Sequence, residues 1–183
     1  MNTMLKLKDK SGNIIKANYK ELDVSYIEEI MELQDIIMED LEDKQLYAPT
    51  DKEEFIEYFK KGAKVIGYLD EKDDLIAMAV YIKKGYEKGN YGYDLDLEGE
   101  SLLDVGQVES TVVRSDYRGN GLQKILCEKV EDIAINEKVK LLTSTASPYN
   151  KYSVNTFKNL GYEVKRDKVK YGGLRRYVLV KEL

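Results

Sequence analysis

Histidine is absent from this 183-residue chain, and cysteine occurs once, as Cys127. Without histidine there is no Ser–His or Cys–His nucleophile pair, and the usual zinc sites are excluded. A single cysteine permits no internal disulfide and no cysteine metal site. Cys127 has a helical position and no histidine to activate it, so it reads as a small buried hydrophobe rather than a nucleophile. Long apolar runs are missing as well. No stretch is long enough to span a bilayer, and Met1-Asn2-Thr3-Met4-Leu5-Lys6 does not open a secretory signal, so the expectation is a cytoplasmic protein with no membrane partner. Positive charge is in deficit, with a formal net charge of −5, which gives a nucleic-acid partner no support.

Charged residues make up 34% and hydrophobic residues 43% of the chain. That balance is globular rather than disordered, and the length suits one domain over 1–183 with a substantial core. No internal repeat or linker divides it.

Leu5 and Leu7 alternate with lysines before Ser11-Gly12-Asn13, and Ile14-Ile15 follow, which predicts an opening β-hairpin. Ser25 with Glu28 reads as a capping box ahead of a helical stripe of Ile27, Ile30, Met31, Ile37, Met38 and Leu41. Thr50 with Glu53 repeats the pattern before a short helix that carries Phe55, Ile56 and Phe59 and ends near Gly62. Val65 to Leu69 and Leu75 to Ile82 read as strands joined across Asp73-Asp74. Gly85 to Asp104 is an irregular loop, with Tyr86, Tyr91 and Tyr93 among glycines, followed by Asp94, Asp96, Glu98, Glu100 and Asp104. A solvated face is the ordinary reading of such acids. Lys140 to Ser144 reads as a strand and Tyr149 to Asn159 as a helix stopping at Gly161. Glu163 to Arg166 and Arg176 to Lys181 form a closing strand pair.

The most informative stretch runs from Gln107 to Ile135. Gln107 to Val113 alternates polar and apolar residues and is rich in β-branched types, the pattern of a strand. Leu122, Ile125, Leu126, Val130, Ile133 and Ala134 recur at helical spacing. Between them lies Arg118-Gly119-Asn120-Gly121-Leu122-Gln123. A glycine turn that opens a helix leaves amide N–H groups unpaired at the positive end of the helix dipole, a ready site for phosphate or pyrophosphate. A dinucleotide fingerprint would need a third glycine, and a P-loop would need Gly-Lys-Ser/Thr; neither is present. The nearby bases Arg114, Arg118 and Lys124 fit either a phosphate role or a solvated face.

The run Val113-Arg114-Ser115-Asp116-Tyr117-Arg118-Gly119-Asn120-Gly121-Leu122 resembles the acetyl-CoA motif of the GNAT N-acetyltransferase superfamily, V-x-P-x-Y-R-G-x-G-I/L. Gln123 stands where that family's core motif has Gly or Ala, and Ser115 stands where Pro is common. A second family signature is matched by Asn150, Ser153, Phe157, Gly161 and Tyr162. The resemblance is specific over Val108 to Tyr162. It implies an α/β (α+β) fold with a GNAT-type mixed, mostly antiparallel central sheet flanked by helices, and the elements before the motif fit that fold's N-terminal half.

The resemblance also implies chemistry. Acetyl-CoA, as cosubstrate, would place its pyrophosphate on the backbone amides of Gly119, Asn120, Gly121, Leu122, Gln123 and Lys124, next to Arg118. Its pantetheine arm would pair with the backbone of Thr111, Val112 and Val113, and Asn150, Ser153 and Phe157 would contact the cofactor. Strand alternation puts Glu109 on the face shared by Thr111 and Val113, and the resemblance makes it the base or the group that orients the amine. Phe157 takes the place of a tyrosine that protonates the departing thiolate in many members, which leaves Tyr149 and Tyr152 as candidate acids. The acceptor is expected to be a small-molecule amine or a protein amine. Acid clusters at Glu28 to Asp43 and Asp94 to Asp104 would favour a cationic one. A homodimer stays open, and the alternative to an enzyme is a non-catalytic CoA-binding sensor or interaction domain.

Overall fold

The computed structural model describes residues 4–183, so Met1 to Thr3 of the leader reading lie outside it. Two strands open the chain, β1 (Met4–Lys8) and β2 (Ile14–Leu22), followed by helices α1 (Ile27–Asp40) and α2 (Lys52–Lys60). Then come β3 (Lys64–Leu69), β4 (Leu75–Ile82), β5 (Val105–Val113), α3 (Leu122–Asn136), β6 (Leu141–Ala146), α4 (Lys151–Asn159), β7 (Glu163–Lys170) and β8 (Leu174–Glu182). The eight strands form one sheet in the order β1-β2-β3-β4-β5-β6-β8-β7. Every pairing is antiparallel except β5 with β6, which the α3 crossover requires to be parallel. This is the mixed, mostly antiparallel sheet that the motifs imply.

Helices cover both faces. On one side α3 and α4 bury Leu122, Leu126, Val130, Val154 and Phe157 against Ala77, Ala79, Tyr81 and Val108. On the other side α1 and α2 bury Ile30, Leu33, Ile37 and Phe55 against Met78, Val80, Ile82 and Val112. All eight residues of β4 are buried, which is why its sequence is one continuous apolar run rather than an alternation.

Both expected capping boxes are replaced by a neighbouring aspartate. Asp23 accepts from the Ser25 amide at 2.9 Å and opens a 3-10 turn ahead of α1, while Tyr26 at the α1 N-cap makes no side-chain cap. Asp51 caps α2 by accepting from the Glu54 amide at 2.8 Å. A carboxylate one or two residues away offers a stronger acceptor than the hydroxyl and takes its place.

The stretch 85–104 is more ordered than expected. It folds into two 3-10 turns, Tyr91–Leu95 and Gly99–Asp104. The Asn90 side-chain amide donates to Gly85 O at 2.7 Å and to Leu102 O at 3.0 Å, which closes the segment on itself.

Candidate active site

β5 and β6 run side by side only from Val105/Leu141 to Val108/Ser144. Beyond that point they separate, although β5 continues to Val113 and β6 to Ala146. On its other edge β5 stays paired to β4, and the Arg114 amide donates to Ile76 O at 2.9 Å. The two-residue alternation of an antiparallel ladder then turns the N–H and C=O groups of Thr111 and Val113 away from β4, toward the gap. A cavity of about 360 Å³ fills that gap.

The glycine turn forms its lip. Gly119 (φ +85°) and Gly121 (φ +71°) both adopt left-handed backbone conformations, which L side chains take only with strain. Gly121 is the N-cap of α3 and supplies no side-chain acceptor. The amides of Leu122, Gln123 and Lys124 therefore have no hydrogen-bond acceptor among the described residues, and they lie at the positive end of the helix dipole. The Asn120 side chain is engaged elsewhere. Its Oδ1 accepts from the Lys8 amide at 2.9 Å, and its Nδ2 donates to Lys8 O at 2.8 Å and to Tyr117 O at 2.9 Å. These bonds fix the turn to the end of β1 and leave only the backbone to meet a ligand.

Of the three bases near the turn, Arg114 pairs with Asp116 and Lys124 with Glu128, while Arg118 lines the cavity. Gln123, at the place where Gly or Ala is usual, is buried and donates to Thr111 Oγ1 at 3.0 Å and Ser153 Oγ at 2.9 Å. It ties the start of α3 to both β5 and α4. Asn150 caps α4 by accepting from the Ser153 amide at 3.1 Å. Thr111, Val112, Val113, Asn150, Ser153 and Phe157 all line the cavity.

Glu109 is placed differently from expectation. Val80 is opposite Ser110 and Tyr81 is opposite Val108, so Glu109 is an extra, unpaired residue: a β-bulge. The bulge shifts the alternation by one. Val108 packs with the α3 and α4 cluster, whereas Val112, four residues later, packs with the α1 and α2 cluster. Thr111 and Val113 therefore face α3, while Glu109 turns to the opposite face and meets α2. The expectation that the three share one face fails because of this single inserted residue.

There Glu109 is nearly enclosed, with its side chain 10% exposed and its Lys84 partner 9% exposed. Its Oε1 accepts from Lys84 Nζ at 3.0 Å and from the Tyr58 hydroxyl at 2.9 Å, and its Oε2 accepts from Gln107. Tyr58 also reaches the exposed Glu54 at 2.6 Å. Burial, followed by the Glu109 charge, pushes the Tyr58 hydroxyl pKa far above its ordinary range.

Three acids of the Asp94 to Asp104 cluster are paired rather than free at the rim. Asp94 is paired with Lys168 and Lys170, Asp96 with Arg166, and Asp104 with Lys140. The Asp94 and Asp96 pairs pin the segment to β7, and the Asp104 pair ties its end to the residue before β6. The carboxylates that do line the cavity are Glu54 and Glu109.

Of the two tyrosines proposed as acids, Tyr152 lines the cavity at its exposed rim, and Tyr149 is not part of the lining. The Arg175 guanidinium instead lies 6.0 Å from the Tyr149 ring centroid. Among the lining residues that escaped the sequence reading are Glu54 and Tyr58 on α2, Tyr171 in the β7–β8 turn, and Arg176 on β8. Tyr171 Oη lies 2.6 Å from the hydroxyl of buried Tyr91 and 3.0 Å from Thr145 Oγ1 on β6. A pointer to Tyr171 exists in Tyr171-Gly172-Gly173, a tight turn that projects one aromatic ring.

The open edge of β5 beside an uncapped glycine-turn helix fits the strand-and-turn arrangement that the sequence motifs imply, and the splay of β5 from β6 is what exposes that edge. The family described as Acetyltransferase (GNAT) family matches residues 27–162. The chain belongs to this family. It is an acetyl-CoA-dependent N-acetyltransferase, and acetyl-CoA is its cosubstrate. No curated protein sequence matches the chain. Among solved structures, a protein of Acinetobacter baylyi ADP1 assigned as an acetyltransferase is similar, with a TM-score of 0.70 and 18% identity over 100% of this chain and 94% of its own. A Salmonella typhimurium protein, likewise assigned and solved with its cofactor acetyl-CoA, gives 0.67 at 15% identity over 91% and 93%. The ribosomal-protein-alanine N-acetyltransferase of Brucella melitensis gives 0.67 at 16% identity over 90% and 99%. At these identities the structural likeness speaks for the fold.

The cavity suits acetyl-CoA on its own terms. Free amides at a helix N-terminus match a pyrophosphate, and an open strand edge offers backbone partners for an amide-bearing chain. Among the described residues no helix is long and apolar enough to cross a membrane, and no cluster of ligating side chains suits a metal ion.

Proposed function

We propose that this single-domain enzyme acetylates a primary amine by direct attack of the amine on the thioester while both substrates are bound. The acceptor is a cationic small molecule or a lysine or N-terminal amine, and the cytoplasm is the compartment we assign. The observation that carries this reading is the position of Glu109. It sits on the bulge where β5 and β6 part, inside the cavity, with its carboxylate linked through Tyr58 to an acid at the surface.

In this scheme the glycine-turn amides hold the pyrophosphate and the free edge of β5 holds the pantetheine arm. Holding amine and thioester together removes much of the entropic barrier without a covalent enzyme intermediate. A β5 amide facing the gap would donate to the thioester carbonyl, an oxyanion-type contribution of about 3 kcal/mol. Glu109 orients the arriving ammonium and accepts its proton. Tyr58 then passes a proton to Glu54 as it receives one from Glu109, so it relays without becoming a phenolate. The nitrogen gives up its second proton to solvent as the C–S bond breaks, and the departing thiolate takes a proton from solvent, directly or through Tyr152, because Phe157 has no hydroxyl to donate.

The test is thiol release from acetyl-CoA with an amine panel, for wild type and Glu109→Gln. Equal rates for the two across the pH range would remove Glu109 from the chemistry. No thiol release with any amine would refute the acceptor assignment.

A further inference from the structure

Arg176 is a cavity-lining cation for which acetyl transfer, as described above, has no use. It is 3% exposed. Its Nη1 donates to Arg175 O at 2.9 Å, but its Nη2 is buried without a hydrogen-bond partner, and Arg176 forms no ion pair among the described residues. An enclosed guanidinium cannot shed its proton to relieve the cost of burial. Leaving such a charge uncompensated is among the more destabilising arrangements a fold can hold.

The acids Asp94, Glu109 and Asp167 are each held by another cation. Asp94 is held by Lys168 and Lys170, Asp167 by Arg175, and Glu109 by Lys84. The Tyr171 ring, with its centroid 5.8 Å away, offers Arg176 a π face but no acceptor for Nη2.

The side of the sheet on which Arg176 lies separates it from the phosphate end of the cosubstrate. Tyr177 and Leu179 pack with the α3 and α4 cluster. Strand alternation therefore turns Arg176 to the opposite face, where Glu109 and Tyr58 lie. The Tyr171 ring lies beside Arg176. Its hydroxyl is bonded to Tyr91 and Thr145, and it feels the negative charge of Glu109 and the positive charge of Arg176.

We propose that Arg176 anchors a carboxylate on the acceptor, so that the substrate is a small molecule carrying a primary amine and a carboxylate, of the amino-acid class. The amine lies toward Glu109 and the carboxylate lies on the guanidinium, whose planar fork matches a carboxylate. This assignment rests on the N-acetyltransferase reading and narrows its acceptor to a free amino acid, whose ammonium is the cationic group that Glu109 meets.

The test compares free amino acids with their decarboxylated amines and their carboxamides, by steady-state thiol release from acetyl-CoA. For the preferred side chain, kcat/KM for the carboxylated member is expected to exceed that of its amine partner by about 100-fold. Arg176→Gln and Arg176→Lys should raise KM for the carboxylated acceptor by a similar factor, while the acetyl-CoA Kd measured by calorimetry stays as in wild type. Thermal unfolding checks folding of the variants. Arg176→Gln, which removes the unpaired buried charge, should leave Tm unchanged or raise it, and the carboxylated acceptor should raise Tm of the wild type only.

Equal turnover of carboxylated and decarboxylated partners would overturn the proposal, as would a preference that survives Arg176→Gln. A phosphonate or sulfonate analogue preferred over the carboxylate would assign the site to another anion. Acetyl-CoA binding weakened by Arg176→Gln would place the residue on the cosubstrate. Absence of thiol release with every amine would instead refute the underlying acceptor reading, which separates the two failures.

Discussion

The Tyr58 hydroxyl stands 2.9 Å from Glu109 Oε1 and 2.6 Å from Glu54 Oε1. It has one proton, so it donates to only one carboxylate at a time. A proton arriving at buried Glu109 thus has a two-step route to a surface acid. Tyr58→Phe keeps the ring, which packs edge-on against Phe55 with centroids 5.9 Å apart, and removes the link. The expected result is a kcat lower by about 10²-fold, the size of a general acid–base contribution, with the KM for acetyl-CoA unchanged. Glu54→Gln should reproduce part of that loss. Pre-steady-state measurement of acetyl transfer decides the matter, and a Tyr58→Phe enzyme at wild-type rate would exclude the relay.

Lys84 and Glu109 form a nearly enclosed ion pair, with side chains 9% and 10% exposed. Lys84→Met leaves a carboxylate buried with only Tyr58 and Gln107 as donors. Breaking one side of a buried pair costs about 3 kcal/mol or more, whereas removing both partners is far milder. Lys84→Met should therefore be the less stable variant in urea, and Lys84→Met/Glu109→Gln should recover much of the loss. Additive losses in the double variant would show that the two side chains are not coupled.

Gly121 and Gly62 separate backbone strain from ligand binding. Both hold left-handed backbone, at φ +71° and +83°, and a Cβ added at either meets nothing within 4 Å. Alanine at each site should cost about 1 kcal/mol in stability through the backbone alone. Only Gly121→Ala should also raise the acetyl-CoA Kd, by about tenfold, since it alone tilts the amides at the start of α3. Calorimetric titration of both variants checks this. Equal Kd values would mean that the turn does not hold the cosubstrate.

The same turn shows why part of the molecule was readable in advance. Glycines that need positive φ, a β-branched alternation before them and a 3.6-residue stripe after them are local features, and β5 and α3 form where those features place them. The Glu109 bulge leaves no such mark. An inserted residue changes no composition and no period until its partner strand is known, so the side chain was read onto the wrong face. The two missed caps have a related cause: Ser25 and Thr50 fit the pattern, but Asp23 and Asp51 lie close enough to displace them. Tyr171 and Arg176 come from a hairpin that carries no local motif, and only the sheet order, with β8 between β6 and β7, brings them to the cavity.

Burial also sets a response to alkali. The Cys127 thiol, ordinarily near 9.0, is pushed up to about 12 mainly by desolvation between α3 and the sheet. The Tyr47 hydroxyl, ordinarily near 10.0, is also raised to about 12 by burial, against the smaller lowering effect of its Ser110 hydrogen bond. In the unfolded chain both groups lose protons near their ordinary values, so between those values and about 12 the folded state binds more protons. Stability then falls as pH rises through that window, and below the ordinary thiol value these two groups take nothing from it. Urea midpoints should hold steady from about pH 6 to 8 and decline above about pH 9. In the native protein at about pH 8, Cys127 should react with a thiol reagent only as fast as the fold opens. Rapid stoichiometric labelling of the folded enzyme would show that the thiol is not enclosed as described.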